Sequence, residues 1–292
     1  MKKRMLFFNA FLFVLLSACS SNQPNTQMSA QVIQPATKQH VSPVLKVMTL
    51  NLAHGRKDGF NQIFLSKSRI KTNLDDIAKV LNEHNPDIVA LQEADASSWW
   101  SGNFNHVAWL AQQAEYLTYI QASHAGSWFF SYGTGLLSQC PFTETIEHTF
   151  KPSPPTLNKG FTLGQVKWRF DNKSEPILLD VISVHLDFSR KSVREQQIVE
   201  IKKILAERNY PAIVLGDFNS DWFSDEKVIR ALLEKGDYHV YEPEAQNLGT
   251  YKSKHRLDWI IISKELGFKN LTILPDVLSD HSAVMAEIIV LP

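Results

Sequence analysis

Tyr210-Pro211-Ala212-Ile213-Val214-Leu215-Gly216-Asp217-Phe218-Asn219 decides how the chain is read. The apolar run over 210–215 reads as a strand. An apolar strand leaves the polar residue after it at a sheet rim, where loops form sites. The same ending recurs. A strand over 44–52 closes on Thr49-Leu50-Asn51, and one over 87–92 closes on Gln92-Glu93. A third, over 177–186, closes on His185-Leu186-Asp187. Leu257-Asp258-Trp259 opens a late strand, and Ser279-Asp280-His281 precedes the last, over 283–290. Each ending alone has an ordinary explanation. Asp217 and Asn219 suit an Asx turn, with Gly216 supplying the bend. His185 in an apolar run suits a hydrogen-bonded core histidine. The set argues otherwise, because acids, amides and histidines all fall at strand boundaries.

Helical spacing appears between strands. Ile70, Leu74, Ile77 and Leu81 share one face of a helix over 68–85, which Asn85-Pro86 stops. Residues 105–116 read as a second helix. Ile198, Ile201 and Leu205 mark a third over 189–208. Further strands are expected near 134–137, 143–148, 162–170 and 271–274. Strands outnumber helices about two to one, so the class is mixed α/β: two packed sheets with helices outside.

The N-terminus reads as an address. Lys2, Lys3 and Arg4 precede an apolar run over 5–16, broken only by Asn9, and then Leu16-Ser17-Ala18-Cys19. This is a secretory signal pattern, too short to span a bilayer. The last four residues resemble the lipobox of bacterial lipoproteins. That resemblance implies a signal peptide over 1–18 and lipidation of Cys19. Ser20 after the Cys points to the outer membrane. Residues 19–43, rich in Ser, Asn, Gln, Thr and Pro, read as a flexible tether, and 44–292 as one catalytic domain. Cys140 is the only other cysteine, so no internal disulfide can form.

Composition limits the function. Lys plus Arg and Asp plus Glu number 30 each, so no global basic field draws nucleic acid. Removing the three basic leader residues shifts the formal charge from 0 to −3. No P-loop, nucleophile elbow or H-E-x-x-H motif occurs. Carboxylates and Asn amides instead suit a hard cation such as Mg²⁺, with Mn²⁺ the alternative.

Thr49-Leu50-Asn51 with His54-Gly55, Pro86 through Glu93, Gly135-Leu136-Leu137-Ser138, His185-Leu186-Asp187, Gly216-Asp217-Phe218-Asn219, Arg256-Leu257-Asp258-Trp259 and Ser279-Asp280-His281 occur in order. So ordered, they resemble the endonuclease/exonuclease/phosphatase superfamily, the deoxyribonuclease-like fold. The resemblance implies a four-layer α/β/β/α sandwich of two mixed β-sheets flanked by helices. It implies a metal-dependent phosphate-ester hydrolase working by in-line attack of water, a phosphodiesterase that is nuclease-like or directed at a phospholipid headgroup, with a small phosphate ester also open. Glu93 is then the main metal ligand, with Asn51 beside it and Asp280 near the ion. Asp217 orients or deprotonates the water, and Asn219 holds the water and the phosphate. His281 contacts a phosphoryl oxygen and is paired to Asp258. His185 is a second site histidine, and both histidines are expected to be cationic. One departure is that the abasic-site repair branch has a Tyr-containing motif where this chain has His185.

Arg190 and Arg194, with Lys191, are candidate phosphate contacts; a solvated helix face is the alternative. Trp99, Trp100, Trp128, Phe129 and Phe130 suit contact with a base, a lipid or a membrane, or cover for the sandwich; cover is favoured. The expected partners are a phosphate-ester substrate, nucleic acid only as substrate, and a membrane through Cys19. The chain is expected to be a monomer. The competing function is a non-catalytic binding module of the cell envelope on the same fold.

Overall fold

The computed structural model describes residues 26–27, 29–33, 41–224 and 227–292. The first half contains β1 (Thr26–Gln27), β2 (Gln31–Val32), β3 (Leu45–Asn51), α1 (Lys67–His84), β4 (Ile88–Asp95), α2 (His106–Gln113), β5 (Thr118–Gln121), β6 (Ala125–Gly126) and β7 (Ser131–Ser138). The second half contains β8 (Phe142–Thr149), β9 (Gly160–Trp168), β10 (Ile177–His185), α3 (Lys191–Arg208), β11 (Ala212–Asp217), α4 (Val228–Leu233), β12 (Tyr238–Val240), β13 (Asp258–Ser263), β14 (Leu266–Ile273) and β15 (Val284–Val290). Among the described residues, no helix is long and apolar enough to cross a membrane.

The strands form two mixed sheets. One runs β1-β8-β9-β10-β11-β13-β12, and the other β14-β15-β3-β4-β7-β5-β2, with β6 on β7. Only β10 with β11 and β3 with β4 run parallel; the other named pairs are antiparallel. Helices α1 and α2 cover one sheet, α3 and α4 the other. This is the four-layer sandwich expected from the sequence.

Side chains alternate faces along a strand, and here the alternation assigns each residue to a layer. On β3, Leu45 and Val47 enter the core between the sheets, while Met48 and Leu50 pack under α1 and α2. On β11, Ile213 and Leu215 face inward, while Ala212 and Val214 pack under α3. On β13, Ile260 and Ile262 face inward, while Trp259 and Ile261 face the helices. Each fully buried side chain of this size contributes roughly 1.5–3 kcal/mol. The inner row then changes character toward one rim. Leu45 and Val47 give way to Thr49 and Asn51, Leu179 and Val181 to Ser183 and His185, and Ile213 and Leu215 to Asp217.

The helix ends follow from local chemistry. The Ser66 hydroxyl accepts from Arg69 N at the start of α1, and Asn85 ends it in the left-handed region at φ 48°. Asn209 does the same after α3, at φ 54°. Part of the stretch read as a tether is paired instead. Thr26 and Gln27 add to β8, and Gln31 and Val32 add to β5, so the free-tether expectation does not hold at these residues. Cys19 lies outside the described residues.

Gly216 sets how closely β10 and β11 run. At φ 149°, a Cβ there would stand 2.0 Å from the Val184 carbonyl oxygen. Gly216→Ala is expected to lower stability by at least about 1–3 kcal/mol, the usual cost of overpacking. Urea unfolding of the two proteins measures the difference, and an unchanged midpoint refutes the close-approach argument.

Candidate active site

The polar rim of one sheet is a single rank. Gly160 of β9 is the register partner of His185, His185 of Asp217, and Asp217 of Asp258. β10 and β11 run parallel and end there, whereas β9 and β13 run the other way and begin there. Strand endings and strand openings far apart in sequence therefore meet side by side.

The facing sheet supplies Asn51 and Glu93. Asn51 Nδ2 donates to Asp217 Oδ2 at 3.0 Å across the gap between the sheets, and Asn51 Oδ1 accepts from Ala53 N at 2.9 Å. Glu93 reaches the rim through a β-bulge. Leu91 pairs with Gly135 and Ala94 with Gly133, so β4 carries one residue more than β7 between them. Glu93 has φ 45° at this bulge, a device that re-aims a side chain. His54 stands beside it, with Nε2 3.4 Å from Glu93 Oε2 and Nδ1 3.3 Å from Asp95 Oδ1.

Inside the rim lies a second polar layer. Thr49 Oγ1 donates to Gln92 Oε1, Gln92 Nε2 to Ser183 Oγ, and Ser183 Oγ to the Leu91 carbonyl, at 3.0–3.2 Å. These bonds fix one sheet to the other directly beneath the site.

The charges are distributed unevenly. Burial alone would lower the pKa of His281, but Asp258 and then Asp217 raise it to about 10. His281 Nδ1 lies 2.8 Å from Asp258 Oδ2, which also accepts from Thr250 Oγ1 at 2.6 Å. His281 is thus held cationic at neutral pH. His185 is not. Burial, and next to it the Lys159 charge, hold its pKa well below the ordinary value. Lys159 Nζ sits 3.1 Å from His185 Nε2, and the lysine is buried. Burial lowers the Lys159 pKa, and Glu93, Asp217 and Asp187 oppose that. Burial raises the Asp217 pKa; His281 pulls it back and Asp258 adds to the rise. Burial would also raise Glu93, but His54, Lys159, His281 and Arg56 together hold it below its usual range.

The remaining expected residues occupy various places. Asn219, at φ 49°, donates its backbone N–H to Asp217 Oδ1 and its side-chain amide to the Leu186 carbonyl. Asp280 pairs with Arg56 at 2.8 Å, on the half-buried margin. Arg194 is buried and donates to the Asp187 carbonyl at 2.7 Å; Arg190 donates to the Ser153 carbonyl and sits 3.4 Å from Thr156 Oγ1. Both arginines hold the loop around Asp187, which accepts from Thr156, Ser189 and Arg190 N. The geometry gives them a positioning place in place of the expected phosphate contact. The sequence pattern does not single out Lys159, although it directly precedes a strand at Gly160. Strand openings carry site residues here as strand ends do.

A family model described as the endonuclease/exonuclease/phosphatase family matches residues 48–281. The chain belongs to this family. No curated protein matches it by sequence. Solved structures are similar in fold. An endonuclease/exonuclease/phosphatase family protein from Bacteroides thetaiotaomicron aligns with TM-score 0.65 and 19% identity, covering 85% of this chain and 98% of that one. A mannosyl-6-phosphatase from Bacteroides thetaiotaomicron VPI-5482 aligns at 0.63 and 18%, covering 84% and 99%. The catalytic domain of human Nocturnin aligns at 0.60 and 15%, covering 90% and 97%. As a member of the endonuclease/exonuclease/phosphatase family, the chain is a phosphoester hydrolase in kind. Enzymes of the family generally depend on a divalent metal, and the buried group Asp217, Asp258 and His281, with ligand atoms within 4.8 Å of one another, could hold an ion.

The His281–Asp258 pair has a pH signature. A group raised from 6.5 to about 10 stabilises the fold fully below the lower value, and the contribution is lost as pH climbs through the upper one. In Asp258→Asn, the His281 ring is expected to titrate closer to 6.5. Imidazole C–H shifts followed by NMR from pH 5 to 10 report this directly. A His281 titration unmoved by the substitution rules out Asp258 as the cause.

Proposed function

We propose that the chain is a divalent-metal-dependent phosphate-ester hydrolase in which Asp217 activates water for in-line attack at phosphorus. The observation that carries this reading is Asp217 itself, buried in the middle of the rank between the cationic His281 and the neutral His185. Its Oδ2 lies 3.9 Å from His281 Nε2 and 3.5 Å from His185 Nε2, and Asn51 holds it at 3.0 Å. A raised carboxylate pKa suits a general base, because its affinity for a proton approaches that of its surroundings at working pH.

The donor chemistry fits a hard cation. Glu93 is held ionised, and the Asn51 amide oxygen lies on the neighbouring strand, where Asn51 is the register partner of Gln92. Two oxygen donors with room for water and a substrate phosphate suit Mg²⁺, or Mn²⁺ in its place. His281 is held protonated and so offers no lone pair to a metal, which makes the Glu93–Asn51 pair the better first ligand set, with Asp280 at its margin. A cation held there supplies Lewis-acid charge to a phosphate oxygen.

The chain's own residues do the rest. His281 presents a protonated ring to a phosphoryl oxygen while Asp258 fixes its orientation. Lys159 adds a second buried positive charge against the developing negative charge. His185 is neutral and offers a hydrogen bond to an oxygen of the reacting group. Asn219, held by its own backbone and the Leu186 carbonyl, lines the path of the attacking water. We further propose that Cys19 carries the acyl anchor of an exported outer-membrane lipoprotein that acts as a monomer.

A panel on the purified chain decides between catalysis and binding. It comprises bis-nitrophenyl phosphate, plasmid DNA and labelled phospholipid, each with Mg²⁺, Mn²⁺ or chelator. Asp217→Asn is expected to lower kcat by roughly 10²- to 10⁴-fold. Glu93→Gln is expected to abolish the response to metal while the far-UV spectrum stays unchanged. Lys159→Met should lower kcat by about 10²-fold, the scale of one lost electrostatic contact to the transition state. Metal binding without turnover of any substrate class would favour the binding module.

A further inference from the structure

The aromatic residues beside the site do not all serve as cover. Trp100 does: it stacks on Phe130 at 4.5 Å and on Tyr132 at 5.7 Å, and its Nε1 donates to Asp95 Oδ1 at 3.2 Å. Beyond it the side chains turn outward. Trp128 is 88% exposed, Trp99 65%, Phe60 94% and Phe64 76%. They sit on separate loops that touch one another. The turn Gln62–Phe64 packs against the turn Trp99–Ser101. Trp99 lies 4.8 Å from Phe129, and Phe129 lies 5.5 Å from Trp128. The Trp128 turn adjoins the site rim, because it enters β7 at Ser131, one residue before Tyr132, which packs on His54.

We propose that this rim is a docking face for an anionic lipid bilayer. Large aromatic side chains at loop tips partition to the membrane–water interface, where an apolar body meets a polar edge. Lys67 and Arg69 stand three and five residues after Phe64. Both are exposed, and neither has an acidic partner among the described residues. Lysine and arginine next to aromatic tips complement anionic headgroups. Asp58 is the exposed acid of the same loop.

An independent observation sets the orientation. Thr26 pairs with Glu147 and Gln27 with Ile146 in antiparallel register, so Thr26, the lower-numbered end of β1, stands two residues short of Thr149. Thr149 is the partner of Gly160, the first member of the catalytic rank. Thr26 therefore lies toward the rim that carries the site. Residues 19–25 reach at most roughly 25 Å. An acyl anchor at Cys19 would hold this rim, and not the opposite one, against the membrane. The substrate class that follows is a phosphate ester carried by the bilayer, a lipid headgroup. That last step rests on the proposed hydrolase activity; the docking itself does not.

The test uses the full chain with Cys19→Ser, which cannot be acylated. The leader contains no Trp, so quenching of tryptophan fluorescence by bromolipid vesicles of phosphatidylglycerol and phosphatidylcholine reports the folded part alone. Strong quenching that disappears in Trp99→Phe/Trp128→Phe is expected, together with weaker quenching on pure phosphatidylcholine. In Trp99→Ala/Trp128→Ala, turnover of vesicle-borne phospholipid should fall by roughly tenfold or more, while turnover of bis-nitrophenyl phosphate is unchanged. Absent quenching, or quenching equal in the Phe variant, overturns the proposal. So does an equal loss on a soluble dinucleotide, which would make the rim a stacking platform for bases. Quenching as expected without turnover of any ester keeps the docking face and removes the hydrolase reading.

Discussion

The hydrogen bond from Asn51 to Asp217 joins two sheets at the point where their shared core stops being apolar. A carboxylate buried between two sheets is costly unless donors surround it. Asp217 receives one donor from the opposite sheet and one from its own loop, through Asn219 N. The polar layer beneath, from Thr49 through Gln92 to Ser183, carries the same load one step deeper. Shifting either sheet by one residue would turn Asp217 or Asn51 to the other face and break both layers. The register of the two central parallel pairs is therefore held jointly by the apolar rows and by these few bonds.

This arrangement explains why much of the molecule was legible in the sequence. Runs such as Ala212 to Leu215 read as strands, and Ile70, Leu74, Ile77 and Leu81 read as a helix face, because local periodicity records burial. The polar residue at a strand end was visible for the same reason. Glu93, His185 and Asp217 interrupt apolar runs, and interruption is a sequence signal. The short pieces were not legible. β1, β2, β6 and β12 are two or three residues long and owe their conformation to a neighbouring edge. Their own composition carries no period to detect.

The site was harder to read than the fold, and the misses share a cause. Lys159 reads as an ordinary surface lysine after Asn158, and only the register of Gly160 with His185 places it inside. Arg190 and Arg194 read as free cations near a strand end, but the loop around Asp187 has already engaged their guanidinium groups. The protonation of His185 depends on its burial and then on that same lysine, so no reading of the histidine alone could set its charge. Charge state is a property of the assembled neighbourhood. Residue type is local, and this difference divides what the sequence discloses from what it withholds.

The near-neutral composition bears on this division. A chain with no formal net charge has no long-range field to gather a phosphate ester, and the cations of its site are few and set against acids. His281 is held cationic, Lys159 is buried three ångströms from a ring nitrogen of His185, and Arg56 stands at the margin against Asp280. Fields from buried charges are screened far less than those at the surface, so a few residues at the rim outweigh the overall balance. Capture of a freely diffusing polyanion gains little from such a site, because its positive charge is recessed and faces acids within the same cleft. A substrate already concentrated on a surface needs no steering. Local positive charge without a global basic field, beside a rim of exposed aromatic side chains, therefore fits a phosphate presented at a surface better than one collected from solution.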